Sequence, residues 1–552
     1  MRFPSQHKLL TGAFAAAITV TLALTSPATA DNARHHHGDS NPDQYGHHTS
    51  YEHPDRPGHH RSFRMQPDGS SGRWARGAQI PNIDSVKDTI ATYYGDTGDG
   101  TANMESSPYI SELQRIQARE RRYLRRAYQR AIRHGERPAL VFDADDTTLM
   151  TYDMEVAAMH FNFDPDLQDE WVQDERFPAT PGMVDFVNDA EDMGYAIFGL
   201  TGRNADQEEA TVGNLDRVGY EPFDADNFFT EWVDPADKPA YIDCAEAECT
   251  TVEYKAGTRE HIEEDLGYDI ALNVGDQWSD LKGGFADRVL KLPNPTYYLP
   301  SPNLPGKHQP WLAPRTHFTM EPDGSSGLTE GGEGIPNIDS VKSTIRTYYD
   351  ATDGIADKRS SAYKSEVERL ADRWTPRLTR TCRHLDRRGQ KPAIVLDADD
   401  TTLWTYDMED GAMGFHFDPE LQDAWVQNRL FPATPGMVDL VDAADRAGCT
   451  IVGLTGRNSA QEEATIANLR DVGYTGFTAE NYYTQWVDEA DRPDYIDCAD
   501  ECSRVEYKSQ TRAHVEDQGY RIIANFGDQF SDLLGGHADR AIKLPNPTYY
   551  LP

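Results

Sequence analysis

The chain has 552 residues, and its 92 acidic and 53 basic side chains give a formal net charge of −39. Such a charge opposes electrostatic binding to nucleic acid polymers and to anionic membranes. The hydrophobic content of 38% and the aromatic content of 10% are typical of folded domains and exclude a wholly disordered chain.

The first 30 residues have the pattern of a secretory signal peptide. Arg2 and Lys8 supply a basic start, residues 9–24 are mainly apolar, and Ala28-Thr29-Ala30 fits a cleavage site. The apolar stretch is short for a membrane span. We therefore expect cleavage after Ala30 and a secreted protein without a membrane anchor.

Residues 31–62 are rich in His, Gly, Asp and Pro, and they have little apolar content. This composition predicts a disordered segment. Two interpretations of its histidines stay open, chelation of transition metals and a solubilising tail. We assign no catalytic role to this segment.

The rest of the chain is a tandem duplication. The text of residues 63–72 returns at 318–327, and residues 291–300 are identical to residues 543–552. Units of this length are whole domains. We predict repeat 1 at 63–300, a proline-rich linker at 301–317 and repeat 2 at 318–552.

The predicted elements of repeat 1 alternate between helix and strand. Asp84 or Ser85 is expected to cap a short helix, and a long arginine-rich helix is expected from about Pro108 to His134, ended by Gly135. Apolar strands alternating with helices predict a parallel sheet covered on both faces. The later segments are predicted as strands at 139–142, 196–200, 227–229, 270–274 and 289–292 and helices at 181–193 and 205–218.

Six cysteines in an exported chain indicate disulfide bonds. Four of them form close pairs in matching acidic loops of the two repeats, and the other two occur only in repeat 2, where repeat 1 has tyrosines. A zinc site is the alternative, although the loops lack a clear second pair of ligands. The predicted bridges are Cys244–Cys249, Cys498–Cys502 and Cys382–Cys449.

Four short motifs occur in the same order in both repeats. In repeat 1 they are residues 143–147 (Asp-Ala-Asp-Asp-Thr), residues 200–203 (Leu-Thr-Gly-Arg), residues 254–255 (Tyr-Lys) and residues 275–280 (Gly-Asp-Gln-Trp-Ser-Asp). Each motif alone has an ordinary structural interpretation, such as a helix cap or a solvated lysine. Two near-identical sets at predicted strand ends make those interpretations improbable, because carboxylates are seldom buried without a partner.

Together these motifs supply the parts of phosphoryl transfer. Carboxylates at two strand ends can hold a hard cation such as Mg²⁺. Another carboxylate can attack phosphorus and form an aspartyl-phosphate. A threonine hydroxyl, backbone N–H groups and a lysine can bind the phosphoryl oxygens.

The four motifs resemble those of the haloacid dehalogenase (HAD) superfamily. The Asp-x-Asp-Asp-Thr and Leu-Thr-Gly-Arg forms, with the signal peptide, are most similar to its subfamily IIIB, which includes bacterial class B and plant acid phosphatases. The resemblance implies that Asp143 is the nucleophile, that Asp145 is the general acid and base, and that Thr201 and Lys255 hold the phosphoryl group. In repeat 2 it implies the same roles for Asp397, Asp399, Thr455 and Lys508.

The resemblance also implies a magnesium site in each repeat. Asp143, Asp276 and the backbone carbonyl of Asp145 would ligate Mg²⁺, and Asp280 would position a metal-bound water or Lys255. In repeat 2 the corresponding residues are Asp397, Asp399, Asp528 and Asp532.

The insert at 150–181 is short for a full cap domain, so we expect an open site that accepts varied or bulky phosphomonoesters. Residues 159–161 (Met-His-Phe) become Met-Gly-Phe at 413–415, and we interpret this as a sign of different substrate preferences. Some aromatic side chains of the insert are candidates for a leaving-group pocket, although most are expected in the core. These aromatics are Tyr152, Phe161, Phe163, Trp171 and Phe177.

The sequence thus predicts an α/β protein with two tandem HAD-like Rossmannoid domains, each a parallel sheet flanked by helices with a small cap insert. The predicted function is that of a secreted Mg²⁺-dependent acid phosphatase. Its predicted partners are small phosphomonoesters, with no nucleic acid polymer and no membrane after signal cleavage, and the two domains are candidates for an intramolecular pair. The alternatives are a phosphotransferase, or a storage or metal-binding protein on a catalytically retired HAD fold.

Overall fold

The computed structural model describes residues 80–299, 301, 327–328, 334–498 and 501–551. The predicted signal peptide, the His-rich segment and the predicted linker apart from residue 301 lie outside these ranges. Repeat 1 begins with two helices and continues as alternating strands and helices. Its helices and strands are α1 (Ile83–Tyr94), α2 (Pro108–His134), β1 (Pro138–Phe142), α3 (Pro165–Gln173), α4 (Met183–Met193), β2 (Ala196–Asn204), α5 (Glu208–Arg217), β3 (Phe228–Glu231), α6 (Thr251–Glu264), β4 (Asp269–Gly275), α7 (Trp278–Leu281) and β5 (Val289–Lys291).

Repeat 2 has the same order of elements after a two-stranded antiparallel hairpin. Its insert, like that of repeat 1, contains a single π-helical turn before the third helix of the repeat. The elements are β6 (Gly327–Leu328), β7 (Gly334–Ile335), α8 (Ile338–Tyr349), α9 (Ala362–Asp386), β8 (Lys391–Leu396), α10 (Pro419–Gln427), α11 (Met437–Asp445), β9 (Thr450–Asn458), α12 (Glu462–Asp471), β10 (Tyr482–Gln485), α13 (Arg504–Asp517), β11 (Tyr520–Gly527), α14 (Phe530–Leu533) and β12 (Ala541–Lys543).

Each repeat contains one five-stranded parallel sheet, in the orders β3-β2-β1-β4-β5 and β10-β9-β8-β11-β12. The central strand β1 is buried along its whole length, so its side chains enter two cores. Leu140 and Phe142 pack in the core that includes residues of α2 and α4, whereas Ala139 and Val141 pack with Tyr254 of α6. The predicted α/β class, with parallel sheets flanked by helices, is confirmed.

The ends of the first two helices show what the sequence could and could not locate. Helix α2 ends at Gly135 with φ 75°, as predicted, because glycine adopts the left-handed cap without steric cost. The prediction that Asp84 or Ser85 caps α1 is wrong. The cap is Asn82, whose side-chain oxygen accepts hydrogen bonds from the backbone N–H of Asp84 (3.1 Å) and Ser85 (3.3 Å).

The start of α1 is hydrogen bonded to the last residues of repeat 2. The Asn82 amide donates to the carbonyl oxygens of Asn546 (3.2 Å) and Tyr549 (2.7 Å). The backbone N–H of Ile83 donates to the carbonyl of Pro547 at 2.9 Å. The first helix of one repeat therefore begins on the carboxyl-terminal segment of the other.

The reciprocal contacts are also present. The Asn337 amide, at the start of α8, donates to the carbonyl oxygens of Asn294 (3.0 Å) and Tyr297 (2.7 Å), and the N–H of Ile338 donates to Pro295 (2.9 Å). Equivalent hydrogen bonds thus run in both directions between the repeats.

One lysine on each of these helices reaches the insert of the other repeat. Lys87 of α1 donates to the carbonyl of Phe415, and Lys342 of α8 donates to the carbonyl of Phe161. Both phenylalanines have left-handed backbones, with φ 62° and 61°. The lysines thus bond carbonyls at the strained turn of each insert.

The structure pairs all six cysteines as the sequence predicts. The Cys382–Cys449 bridge joins α9 to the residue before β9. At the equivalent position of repeat 1, the rings of Tyr128 and Tyr195 lie 5.3 Å apart, so a pair of packed aromatics replaces the bridge. In the part of the chain that the structure describes, no helix is long and apolar enough to span a bilayer.

Candidate active site

The acidic loop after β1 places Asp143 at the carboxyl end of the central strand. Its backbone N–H donates to the carbonyl of Val274 in the neighbouring strand β4 at 3.1 Å. Asp146 has φ 48° and is fully buried, and its carboxylate accepts from the backbone N–H (3.0 Å) and hydroxyl (2.6 Å) of Thr151. Aspartate tolerates the left-handed region better than most residues. Asp146 therefore fixes the shape of the loop through its two hydrogen bonds to Thr151.

Lys255 connects three of the four motifs. Its ammonium donates to one carboxylate oxygen of Asp143 (2.7 Å) and one of Asp280 (2.6 Å), and the lysine is only 3% exposed. Burial lowers the pKa of Lys255, but Asp143 and Asp280 outweigh it, and the net shift is upward. Lys255 is therefore a permanent cation in the site.

Three carboxylates lie close together at this point, two of them in contact with Lys255. One carboxylate oxygen from each of Asp143, Asp276 and Asp280 lies within 4.8 Å of the others. Burial raises the pKa of Asp276 to about 6, and the nearby Asp280 adds to the shift. The pKa of Asp143 is raised well above its usual range, by burial first and then by the other two carboxylates, against the opposing effect of Lys255.

The donor set fits a hard divalent cation. The Oδ1 atom of Asp276 is buried and has no hydrogen-bond partner, while its Oδ2 atom accepts from the amides of Gln277 and Asn294, both at 2.7 Å. An oriented carboxylate with one free, buried oxygen is the kind of ligand that Mg²⁺ prefers. Asp143, Asp276 and Asp280 are thus suited to hold a hard divalent cation.

Sequence reasoning missed Asn294, which lies outside the four motifs. Its amide also donates to Asp146 (3.2 Å), so it ties the loop after β1 to the loop after β4. The only available signal was the identical carboxyl-terminal text of the two repeats, in which this asparagine is the fourth residue.

Asp145 is held by a residue to which the sequence analysis gave no role. The guanidinium of Arg203 makes a fork to the Asp145 carboxylate, with contacts of 3.1 and 2.6 Å, and also donates to Thr211 (3.0 Å). Arg203 is itself 3% exposed and lies over the ring of Phe177. Such a planar fork fixes the orientation of a carboxylate.

Thr201 and Arg203 lie on one face of β2, two residues apart. Both are buried while Gly202 between them is exposed, which is the alternation of a strand. The Thr201 hydroxyl oxygen accepts the backbone N–H of Arg203 at 3.2 Å. Side chains two residues apart in a strand face the same side, and this spacing from Thr201 was the sequence signal that could have identified Arg203.

Arg259, four residues after Lys255, supports the loop that carries Asp280. Its fully buried guanidinium donates to the carbonyl oxygens of Asp280 (2.7 Å), Gly284 (2.9 Å) and Lys282. Burial lowers the pKa of Arg259 to about 10. The loop after β4 is therefore fixed by one side chain on α6.

Repeat 2 has the same arrangement, except that the Thr401 hydroxyl donates to Asp528 Oδ1 at 3.3 Å. Lys508 lies 2.9 Å from Asp397 and also contacts Asp532, and the carboxylates of Asp397, Asp528 and Asp532 form the same cluster. The remaining positions correspond as well, since Arg457 makes the fork to Asp399 (3.1 and 2.5 Å) and the hydroxyl of Thr455 accepts the N–H of Arg457 (3.2 Å).

A cavity of about 600 Å³ opens over the cluster in repeat 2. Its lining includes Asp397, Lys508 and the aromatics Phe415, Phe417 and Trp486. Asp84 of α1, in repeat 1, also lines it. In repeat 1, two aromatics of the insert proposed for a pocket, Tyr152 and Phe177, are buried in the core instead.

The model of the HAD superfamily, subfamily IIIB (acid phosphatase), matches residues 87–300 and 342–552. The solved class C acid phosphatase from Bacillus anthracis with tungstate bound is 24% identical with a TM-score of 0.28, covering 35% of this chain and 81% of that chain.

Among curated relatives, acid phosphatase 1 of Solanum lycopersicum is 27% identical over 202 residues, which are 34% of this chain and 69% of the relative. The stem 28 kDa glycoprotein of Glycine max is 33% identical over 29% of this chain, and the match spans 61% of the glycoprotein. Vegetative storage protein 1 of Arabidopsis thaliana is 32% identical over 29% of this chain and 55% of that protein.

Proposed function

Since the chain belongs to the acid phosphatases of HAD subfamily IIIB, we propose that it is a secreted enzyme that hydrolyses phosphate monoesters at two Mg²⁺-dependent sites, one in each repeat. One observation carries this proposal. In each repeat a buried lysine bridges the predicted nucleophile to a second aspartate, beside a third. Secretion is supported by the pattern of residues 1–30 and by the disulfide bonds.

In the proposed first step, Asp143 attacks phosphorus and the ester P–O bond breaks. Asp145 gives its proton to the leaving oxygen. In the second step Asp145 takes a proton from the attacking water, and the aspartyl-phosphate is hydrolysed to phosphate and free Asp143. Lys255 limits the repulsion between Asp143 and the phosphoryl oxygens.

Mg²⁺ held by Asp143, Asp276, Asp280 and the carbonyl of Asp145 would stabilise charge on the phosphoryl oxygens. The buried carboxylates support this assignment, because Lys255 contacts only Asp143 and Asp280, and one buried oxygen of Asp276 has no hydrogen-bond partner. In repeat 2 the ligands would be Asp397, Asp399, Asp528 and Asp532.

Hydrolysis of a chromogenic aryl phosphate tests the proposal. It would be measured with and without a chelator on wild type, Asp143→Asn, Asp397→Asn and the double variant. We expect metal-dependent turnover that falls in each single variant and vanishes in the double variant. Loss in only one single variant would assign all activity to that repeat.

No turnover by the wild type would favour a storage role, a possibility raised by the similarity to vegetative storage protein 1. Against that role, both sites keep their full set of predicted residues. Transfer of phosphate to an added alcohol in place of water would instead identify a phosphotransferase, since the aspartyl-phosphate is common to both reactions.

We also propose that the two repeats act as a pair. The support is that Asp84 of repeat 1 lines the cavity of repeat 2, and that α1 and α8 each begin on the carboxyl-terminal segment of the other repeat. Each site would then be complete only when its partner repeat is folded beside it.

A further inference from the structure

The cavity of repeat 2 can be compared position by position with repeat 1, because the chain contains both copies. All but two of the residues that line the cavity are identical in the aligned repeat. The exceptions are Gln485, which aligns with Glu231, and Arg504, which aligns with Thr251. Neither difference belongs to the four motifs.

Both differences change charge in the same direction. Repeat 1 has a carboxylate and a neutral hydroxyl where repeat 2 has a neutral amide and a guanidinium. The change therefore makes the mouth of the second site more positive by two charges, while the predicted reacting groups are unchanged.

The guanidinium lies beside the predicted phosphoryl-binding loop. Arg504 is the first residue of α13, is exposed, and its Nη1 atom is 3.4 Å from the carbonyl oxygen of Gly456, which follows Thr455. In repeat 1 the γ-methyl group of Thr251 is 4.0 Å from where a Cβ on Gly202 would lie. The two side chains thus occupy the same place over the same loop.

The carboxylate of Glu231, which repeat 2 lacks, is close enough to Lys255 of repeat 1 to interact with it electrostatically. Glu231 ends β3 and is partly buried. Burial raises its pKa, and the attraction of Lys255 opposes that shift. In repeat 2 the amide of Gln485 lines the cavity at this position without adding charge.

His160 and Gly414, whose difference first suggested different substrate preferences, lie at the contact between the repeats and not among the two differing positions of the cavity. His160 stacks on His416 of the other repeat, with ring centroids 3.7 Å apart. A Cβ on Gly414 would lie 2.8 Å from the side chain of Asn162, and neither Gly414 nor His416 is among the described residues lining the cavity. These positions shape the contact between repeats.

The geometry points to a division of substrates between the two sites, an inference that rests on the proposed phosphatase function. The site of repeat 2 takes phosphomonoesters whose leaving group carries a second anionic group, and Arg504 binds that group. The site of repeat 1 takes neutral or cationic leaving groups, because Glu231 repels a second anion and no arginine is present at position 251. A guanidinium recognises carboxylate and phosphate through the same planar donors.

The test uses the full chain with one site inactivated, Asp143→Asn to report on repeat 2 and Asp397→Asn to report on repeat 1. Each is assayed with phenyl phosphate, 4-carboxyphenyl phosphate and benzene-1,4-diyl bisphosphate. The measured quantity is the ratio of kcat/KM for an anionic substrate to that for phenyl phosphate. Intrinsic leaving-group reactivity cancels when this ratio is compared between the two chains.

We expect the ratio to be about tenfold higher in the Asp143→Asn chain, mainly through KM, and to fall as salt is added. Arg504→Thr with Gln485→Glu in that chain should lower the ratio to the value of repeat 1. Thr251→Arg with Glu231→Gln in the Asp397→Asn chain should raise it. Arg521→Thr, which removes one positive charge near the start of β11, is the control matched to Arg504→Thr and should leave the ratio unchanged.

Equal ratios in the two single-site chains, with both hydrolysing phenyl phosphate, would overturn the inference and leave the proposed function standing. Failure of both chains to hydrolyse phenyl phosphate would instead overturn the proposed function. A raised ratio for only one of the two anionic substrates would identify carboxylate or phosphate as the second group.

Discussion

At the residue scale, Arg203 connects the structure of the site to the protonation steps. Its two contacts to Asp145 fix a carboxylate that would otherwise rotate, and the contact to Thr211 and the ring of Phe177 fix the guanidinium in turn. We therefore regard Arg203 as a positioning residue that acts through Asp145.

Arg203→Lys, made in the Asp397→Asn chain, keeps the charge but removes the planar fork. We expect kcat/KM for an alkyl phosphate to fall about 10- to 100-fold, less than the roughly 100- to 10,000-fold attributed to general acid–base catalysis as a whole, because Asp145 itself remains. The loss for 4-nitrophenyl phosphate should be smaller, because its leaving group needs little protonation. The measurement is steady-state kinetics on both substrates. Equal losses on both would show that Arg203 is merely structural, and Arg457→Lys in the Asp143→Asn chain is the internal replicate.

At the element scale, Asn82 at the start of α1 both caps its own helix and binds the other repeat. The Asn82 side chain caps its own helix through its oxygen, and through its nitrogen it binds two carbonyls of repeat 2. The helix continues to Tyr94, which stacks on Tyr152 of repeat 1 at 4.1 Å. A single element is thus anchored in both repeats.

Asn82→Asp separates these two tasks, because aspartate caps a helix as well as asparagine but cannot donate. We expect it to lower kcat/KM of the repeat 2 site, read in the Asp143→Asn chain, about tenfold, since a carboxylate would face two carbonyls. The repeat 1 site, read in the Asp397→Asn chain, should change less. Asn337→Asp should have the opposite preference. A loss confined to the repeat that carries the substitution would contradict pairing of the repeats.

At the scale of the whole molecule, we expect two buried acids near the contact between repeats to contribute to the pH dependence of stability. Burial raises the pKa of Glu155 to about 8, and Asp146, Asp339 and Asp145 add to the shift while Lys342 opposes it. Asp339 and Lys342 belong to α8 of the other repeat. The pKa of the equivalent Glu409 is raised well above its usual range, with Asp84 of α1 among the causes.

A raised carboxyl pKa makes the folded protein bind more protons than the unfolded chain. The resulting stabilisation is fully present below the ordinary glutamate pKa of about 4.3 and is lost as pH rises toward the folded value. We expect Tm in the presence of chelator to fall by several degrees between pH 5 and pH 8. Glu155→Gln with Glu409→Gln should reduce this fall. A calorimetric Tm with the same pH slope in the double variant would contradict the assignment.

The sequence by itself determined the duplication, the α/β class and the order of the five strands in repeat 1, but not the helices α3, α6 and α7. Helix α2, with its glycine cap, and the strand before Asp143 could be read directly, because local periodicity and turn chemistry set them. The three cysteine pairs could also be predicted, because comparison of the repeats shows which cysteines occur in both and which two occur only in repeat 2. The candidate site residues followed from a resemblance, and their roles stay predictions.

Only the tertiary structure decided which groups face each other across the site. Arg203 bonds Asp145, 58 residues away in the chain, and Asn294 bonds Asp146, 148 residues away, and no local pattern encodes such contacts. The hydrogen bonds from the first residues of α1 and α8 to the other repeat were equally hidden, because the sequence of a helix cap does not show which carbonyls its side-chain amide will bind. Local sequence fixes backbone conformation, whereas contacts between distant segments depend on how the sheets and helices pack.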